Sequence, residues 1–354
     1  MNSTKGICII TLSDNFDHQE VAFSMFNVLY PNYNVYNIGL INQKNPRSPH
    51  SAHSFYFNAP RRPGISKQTF NVFELMKIVK KINSLDVEYV YFESEHMWNA
   101  LIMLLINKKF KKVEVIHDVI PHSDSKGKNL ANKVTCRLAD YVLIRNEKYK
   151  DELIKRYKVL PQNVIVMPLW RYYPELNIDK NQDYFLFFGR IRKYKGIDNM
   201  LLIAQKCPNI KFCVVGSPDL ESTPVVELLK KMKNVTVIDK EVDDAEMENY
   251  FRSSKAIILP YSSATQSGVI VDAYKYSKPV IAFNVGAISE QVIDNVSGYL
   301  VQKDDISEFI EKIVTFSKLS QKDVEKFQKS AYEFGYKKYS AQENSTNFIK
   351  YFLN

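Results

Sequence analysis

The chain has 354 residues, 45% hydrophobic and 25% charged, a length beyond one typical core and a composition that excludes wholesale disorder. Forty-eight basic against 39 acidic residues give a net charge of +9, which favours phosphate-bearing ligands or an anionic surface; paired zinc ligands and the aromatic strand motif of an RNA-binding sheet are missing, so nucleic acid is not an expected partner. The four cysteines, Cys8, Cys136, Cys207 and Cys213, form no CxxC pair and point to reduced thiols of a cytoplasmic protein rather than to a metal or disulfide framework.

From the N-terminus, "MNSTKGICIITLSD" lacks the basic stretch and long apolar core of a secretory signal. The longest uninterrupted apolar run, Ala100–Ile106, falls well short of the ~18 residues of a spanning helix. Strand-like runs follow in order: "GICIITLS", "YNVYNIGL", "VEYVYFES", "KKVEVIHD", "YVLIRN" and "NVIVMP". Between them lie amphipathic stretches such as "FNVFELMKIVKKINSL", apolar at every third or fourth position. The segment "PLWRYYPELNIDKNQD", with two prolines and no periodicity, reads as a linker. The alternation then resumes with "YFLFFG", "IKFCVVG", "NVTVI", "KAIILPY", "KPVIAFN" and "SGYLV". The tail "SAYEFGYKKYSAQENSTNFIKYFLN" is helical in outline, with a break expected near Gly335. This pattern predicts an α/β chain of two Rossmann-like doubly wound domains, 1–170 and 184–335, with a linker over 171–183. A final helix over 336–354 crosses back to the first domain. Ligand is expected in a cleft between the domains, at the carboxyl ends of the strands.

Two stretches carry the chemistry. In "FFGRIRKYKGIDNM" a buried strand opens onto Arg190, Arg192, Lys193 and Lys195, with Gly189 and Gly196 among them, just before a helix. A diphosphate there meets main-chain N–H groups, a favourable helix dipole and full positive charges; a plain basic surface turn is the competing reading. In "ILPYSSATQSGVIVDAYKYSKPVIAFNVG" a strand ends at Pro260, and small hydroxyl residues lead into a helix near Ser267-Gly268 that carries Asp272 one turn in. Small residues at a helix start let amides approach an anion.

Phe187–Gln205 and Ile257–Val301 resemble the donor-binding half of GT-B-fold glycosyltransferases of the family-4 (group 1) kind. The resemblance rests on Gly189-Arg190, Lys195-Gly196, Pro260, Lys278-Pro279-Val280 and Gly286. Through Thr265-Gln266-Ser267-Gly268 it is closest in kind to bacterial polysaccharide transferases with a TQSG loop. The first domain is similar only in architecture and in "VIHDVIPH". The resemblance implies a GT-B fold and a UDP- or GDP-linked sugar as donor substrate, with no cofactor and no metal. Arg190 and Lys195 hold the diphosphate, Ser267 and Gly268 offer it amides, and Asp272 accepts from the ribose hydroxyls. Gly189, Gly196, Gly216, Thr265 and Gln266 complete the donor-binding set. It further implies transfer with retention to a hydroxyl of a growing, lipid-linked glycan of a cell-surface polysaccharide (capsule, O-antigen or exopolysaccharide), on the inner face of a membrane. The chain departs from the family at the first of its paired glutamates, where Ala264 stands, and shortens the second to Asp272.

In the first domain His117 and Asp118 end a strand, with His122 beyond. His117 either holds sugar or acceptor, with Asp118 orienting it or serving as base, or it satisfies a loop carbonyl. Asp14, Asn15, Asp17 and His18 follow the first strand and either contact the acceptor or cap the next helix, capping being the favoured reading. The basic stretches at Arg61, Arg62 and at Lys108, Lys109, Lys111, Lys112 are solvated surface or a contact with an anionic leaflet. Two further functions stay open: a nucleotide-sugar epimerase of the same fold, with Glu290 its candidate carboxylate, and a non-catalytic partner, for which Ala264 is the best argument.

Overall fold

A computed structural model describes residues 6–41, 52–60, 67–120, 126–179 and 183–353. Arg61, Arg62 and His122 lie outside them. The chain divides into two compact units, Met1–Tyr172 with Tyr339–Asn354, and Tyr173–Lys338.

Unit 1 contains β1 (Ile7–Thr11), α1 (Phe16–Leu29), β2 (Val35–Leu40), β3 (Ser54–Phe57), α2 (Val72–Asn83), β4 (Tyr89–Phe92), α3 (Met97–Leu105), β5 (Lys111–Ile116), α4 (Lys126–Leu138), β6 (Tyr141–Ile144), α5 (Lys150–Tyr157) and β7 (Val164–Val166). Its seven strands run in the order β3-β2-β1-β4-β5-β6-β7, all parallel. A parallel sheet is covered on both faces by its crossover helices; hence β1 and β4 are buried throughout. The helices are amphipathic: α2 buries Leu75, Ile78, Val79 and Ile82, the three-four spacing that puts apolar side chains on one stripe. Asn15 caps α1 by accepting from the Asp17 amide at 2.9 Å, the role read for that loop. The edge strand β3 has no counterpart among the predicted strands. It is four residues long, with an aromatic run of only three residues and only Ser54 buried, too short to stand out as a strand.

Unit 2 contains β8 (Tyr184–Phe188), α6 (Ile197–Lys206), β9 (Phe212–Val215), α7 (Thr223–Lys230), β10 (Val235–Ile238), α8 (Asp244–Arg252), β11 (Ser254–Leu259), α9 (Gly268–Lys275), β12 (Val280–Phe283), α10 (Ile288–Gln291), β13 (Gly298–Val301), α11 (Ile306–Ser317) and most of α12 (Gln321–Tyr339). Its six-stranded parallel sheet has the order β10-β9-β8-β11-β12-β13. The last helix, α13 (Ala341–Phe352), packs on α1 within unit 1.

The helix break expected near Gly335 lies instead at Ser340, which caps α13 by accepting from the Glu343 amide at 3.1 Å. Gly335 sits inside α12 for a packing reason: a Cβ there would come within 2.4 Å of Tyr274 Cβ and 2.7 Å of the Tyr173 hydroxyl. The segment read as linker is tied down at both ends. Arg171 is fully buried and pairs with the 339–341 backbone, its amide donating to Tyr339 at 2.9 Å and its carbonyl accepting from Ala341 at 2.7 Å. In unit 2, Asp179 lies 3.2 Å from the buried ammonium of Lys278, which also donates to the Arg252 carbonyl at 2.7 Å. Lys278 thus anchors chain rather than ligand. Burial outweighs the attraction of Asp179 and lowers its pKa to about 8, because removing an ammonium from water disfavours its charge.

Candidate active site

In unit 2 the sequence-chosen residues meet at the carboxyl edge of the sheet, where β8, β9 and β11 lie side by side. Gly189 follows β8 with φ +99°, a region closed to most side chains. A Cβ on it would stand 2.9 Å from Lys195 Nζ and 3.6 Å from Val269 in the first turn of α9. The ammonium therefore rests against the bare Gly189 backbone, beside a helix start. Gly216, after β9, approaches as closely: its Cβ would fall 2.1 Å from the Gly189 carbonyl oxygen. Gly196 turns the chain into α6 with φ +77°, against the Pro260 carbonyl. That carbonyl accepts from Asn199 Nδ2 at 3.0 Å, and the Ser262 amide donates to the Tyr194 carbonyl at 2.9 Å. These bonds lock the loop carrying Lys195 onto the loop after β11.

The four cations of the opening motif separate. Arg192 pairs with Asp219 at 3.4 Å and Lys193 with Glu221 at 3.2 Å, both from the β9–α7 loop. Arg190 is exposed, and Lys195 is partly buried over Gly189 with the Tyr261 ring 5.7 Å away. Thr265 is buried and Gln266 half-buried.

Ser267 departs from the expectation. Its amide donates to Gln291 Oε1 at 2.7 Å, and Gln291 Nε2 returns a bond to the Ser267 carbonyl at 3.0 Å. A main-chain donor so engaged is not offered to a diphosphate. Ser267 makes no side-chain cap on α9, so the donors suited to an anion are those of Gly268 and the turn it opens. Asp272 is 5% exposed and the methyl group of Ala264 is equally covered. Gln291 was not among the sequence candidates; nothing in the segment Ser289-Glu290-Gln291 distinguishes a side chain that braces a loop 24 residues earlier.

Unit 1 holds a second constellation, at the carboxyl ends of β4, β5 and β6. His117 Nε2 donates to the Glu93 carbonyl at 2.6 Å, with Glu93 Oε1 at 3.3 Å. Glu93, which the sequence reading did not name, is thus a carboxylate that orients His117. Glu93 is fully buried and takes both oxygens to the Arg145 guanidinium at 2.6 Å. Arg145 also reaches the Tyr91 hydroxyl at 3.2 Å and packs over Trp170, its Cζ 4.4 Å from the ring centroid. The His18 ring stacks on His117 with centroids 4.2 Å apart. Burial opposes the charge on Glu93, yet Arg145 and His117 outweigh it and bring the carboxyl down to about 2. Burial likewise opposes protonation of His117, but the Glu93 hydrogen bond and charge raise its pKa. His18 goes the other way: burial, and next the neighbouring His117, lower it to about 3. Of the two stacked imidazoles, His117 is the one whose charged form its surroundings favour, and His18 the one they keep neutral. Glu93 and Arg145 escaped the sequence reading although each directly follows an apolar central strand, the position where doubly wound sheets put functional side chains.

Comparison with known proteins follows the same division. Residues 170–334 match the family model of "Glycosyl transferases group 1". An uncharacterized 41.2 kDa protein in the cps region of Klebsiella pneumoniae is 29% identical over 140 residues, 39% of this chain and 37% of that protein. A D-inositol 3-phosphate glycosyltransferase of Mycolicibacterium smegmatis is 27% identical over 139 residues, 38% of this chain and 32% of that protein. The chain thus spans less than two-fifths of the length of these curated relatives. Among solved structures, HepE of Anabaena in complex with UDP and glucose superposes with a TM-score of 0.76 at 14% identity, covering 98% of this chain and 99% of that one. Sucrose-phosphate synthase of Thermosynechococcus elongatus gives 0.71 at 15% identity, covering 98% of each. The likeness shows the fold: two parallel-sheet Rossmann-like units in the GT-B architecture.

Proposed function

We propose that the protein is a glycosyltransferase that moves a sugar from a nucleoside diphosphate, UDP- or GDP-linked, to a hydroxyl of a growing glycan. The observation that carries this reading is the seating of Lys195 Nζ on Gly189 beside the first turn of α9, within the segment that matches the group 1 family. Departure of the sugar adds negative charge to the diphosphate. A fixed ammonium, the exposed Arg190 and the amides opened by Gly268 are donors aimed where that charge grows, the form of stabilisation that usually supplies the largest share of a rate enhancement. In this reading these groups serve where a divalent ion serves other transferases. His117, whose charged form Glu93 favours, suits a hydroxyl or phosphate oxygen of donor or acceptor.

We infer retention at the anomeric centre from the likeness of residues 170–334 to the group 1 transferases, with the departing diphosphate itself the base for the incoming hydroxyl; Ala264, which leaves no carboxylate at that position, is the departure from that likeness. The methyl group of Ala264 removes one acid–base carboxylate that the epimerase alternative would use and leaves the half-buried Glu290 as its candidate. HepE's complex with UDP and glucose supports the donor class, and the Klebsiella relative in a cps region supports a capsule-type glycan; that this glycan is lipid-linked is part of the proposal.

Calorimetry with UDP and GDP, followed by assay with the matching sugar donors and a lipid-linked acceptor, tests the proposal. Wild-type protein binds one nucleoside diphosphate and elongates the acceptor, and proton NMR of the product reads its anomeric configuration. Lys195→Ala slows transfer roughly 100- to 1,000-fold, on the order of 2.7–4 kcal/mol, with an unchanged melting temperature. Near-wild-type turnover of that variant contradicts the assignment, and an epimerised donor moves the protein to the isomerase class.

A further inference from the structure

Three consecutive helices of unit 1 turn unusual faces to solvent. On α2, Phe73 is 85% exposed and Met76 46%, with Lys77 and Lys80 continuing the same i, i+3, i+4, i+7 stripe. On α3, Leu101, Leu104 and Leu105 are exposed, and Lys108 and Lys109 follow directly. On α4, Leu130 and Val134 are exposed and Arg137 completes the stripe. Phe70 and Val72, at the entry to α2, are 72% and 61% exposed. Helix α3 touches both α2 and α4, so the three stripes are neighbours. All three helices are crossovers of one parallel sheet and run in one direction, which aligns their apolar halves with each other and their cationic ends with each other.

Single exposed apolar residues need no explanation, but a contiguous set rimmed by charge marks an interaction surface. The charge decides the partner. Glu74, bonded to Lys77 at 2.6 Å, is the only acidic residue in the three helices. Against it stand Lys77, Lys80 and Lys81 on α2, Lys133 and Arg137 on α4, and Lys108 and Lys109 between α3 and β5. The lysines of the "NKKFKK" stretch nearer the strand are committed elsewhere, Lys111 to Glu88 at 2.7 Å and Lys112 to Asp140 at 3.6 Å. Apolar side chains ahead of a cationic rim fit the boundary between acyl chains and anionic headgroups, with long lysines reaching the phosphates.

We propose that the outer face of α2, α3 and α4 docks on an anionic phospholipid bilayer. The surface is built from residues of unit 1 and the proposed donor residues belong to unit 2, so its test is separable from that of the transferase reading. Purified full-length protein is sedimented with phosphatidylcholine vesicles, with and without phosphatidylglycerol, at low and high salt. Wild-type protein binds the anionic vesicles, weakly or not at all the neutral ones, and less at high salt. Lys80→Ser/Lys108→Ser/Arg137→Ser weakens that binding about 100-fold, since each cation near the surface contributes roughly a factor of five. Phe73→Ser/Leu104→Ser weakens it at least about tenfold, and its residual binding is abolished by salt. Both variants alter exposed side chains only, and an unchanged melting temperature and UDP affinity verify that each is folded. Binding regardless of lipid charge, variants that bind as wild type does, or absence of wild-type binding each overturn the proposal. So does a wild-type dimer in sedimentation velocity that Phe73→Ser/Leu104→Ser dissolves, which assigns the face to a second copy of the chain.

Discussion

At the scale of single residues, Glu93 is the most consequential group outside the donor motif. It lies fully buried between the Arg145 guanidinium at 2.6 Å and the His117 ring. A buried pair adds little net stability compared with apolar packing, but removing one partner strands the other charge in a medium that cannot solvate it. Glu93→Gln is therefore expected to destabilise the fold by about 3–5 kcal/mol, read as a lower urea midpoint with unchanged m-value. Its second effect is specific: without the carboxylate, the His117 pKa falls, visible in the imidazole proton shifts of the folded protein. A loss under 1 kcal/mol, or a His117 titration identical to wild type, refutes this arrangement. The Lys195 prediction belongs to the same scale, because its ammonium is placed by one bare glycine backbone.

Among the elements, α12 shows propensity and packing in opposition. Glycine inside a helix is worse than alanine by about 0.5–1 kcal/mol, so helix propensity alone makes Gly335→Ala stabilising. The structure reverses the sign: the added methyl would stand 2.4 Å from Tyr274 Cβ, and Tyr274 cannot withdraw, because its hydroxyl is held by the Gln291 carbonyl at 3.0 Å and by Ser297 Oγ at 2.8 Å. Overpacking of this kind costs typically 1–3 kcal/mol, so Gly335→Ala lowers stability in urea unfolding. A variant more stable than wild type shows that α12 shifts freely and refutes the packing argument. Helix α9 depends on an element outside itself in the same way, since Gln291 of α10 fixes Ser267.

For the whole molecule, the pH dependence of stability sums groups whose signs differ. Glu93, lowered from 4.5 to about 2, contributes stability that is present above about pH 4.5 and lost as pH falls through about 2. His117, raised above 6.5, contributes stability below that value and loses it as pH rises through the folded pKa. His18, lowered from 6.5 to about 3, subtracts: below pH 6.5 the unfolded chain takes up a proton that the folded one refuses, so stability declines steadily toward pH 3. His18→Phe keeps a ring against His117 and removes that proton. It is expected to lose clearly less stability than wild type between pH 7 and pH 4.5 (urea midpoints at each pH measure this). Parallel losses in the two proteins sink the prediction. No helix among the described residues is long and apolar enough to cross a membrane, and the vesicle test concerns a surface, not a span.

What the sequence determined by itself was local in origin. Buried parallel strands are apolar runs and their crossover helices are three-four stripes, so the strands of both sheets were legible from β1 to β13, apart from the short half-exposed edge at Ser54–Phe57. The geometry of the turn after β8 was legible for a related reason: Gly189, Lys195 and Gly196 lie within one strand-to-helix turn, and their constraint is written within eight residues. Tertiary structure alone decided which groups answer one another across the chain. Glu93 orients His117 from 24 residues away, Arg145 reaches Glu93 across 52, Asp219 and Glu221 remove two of four cations from the donor motif, and Gln291 takes the Ser267 amide. The exposed leucines of α3, read in sequence only as an apolar run, became a surface once the sheet set their faces. Periodicity reports which side of an element is buried, while pairing of polar groups depends on which strand ends lie adjacent, and strand order is a property of the folded sheet.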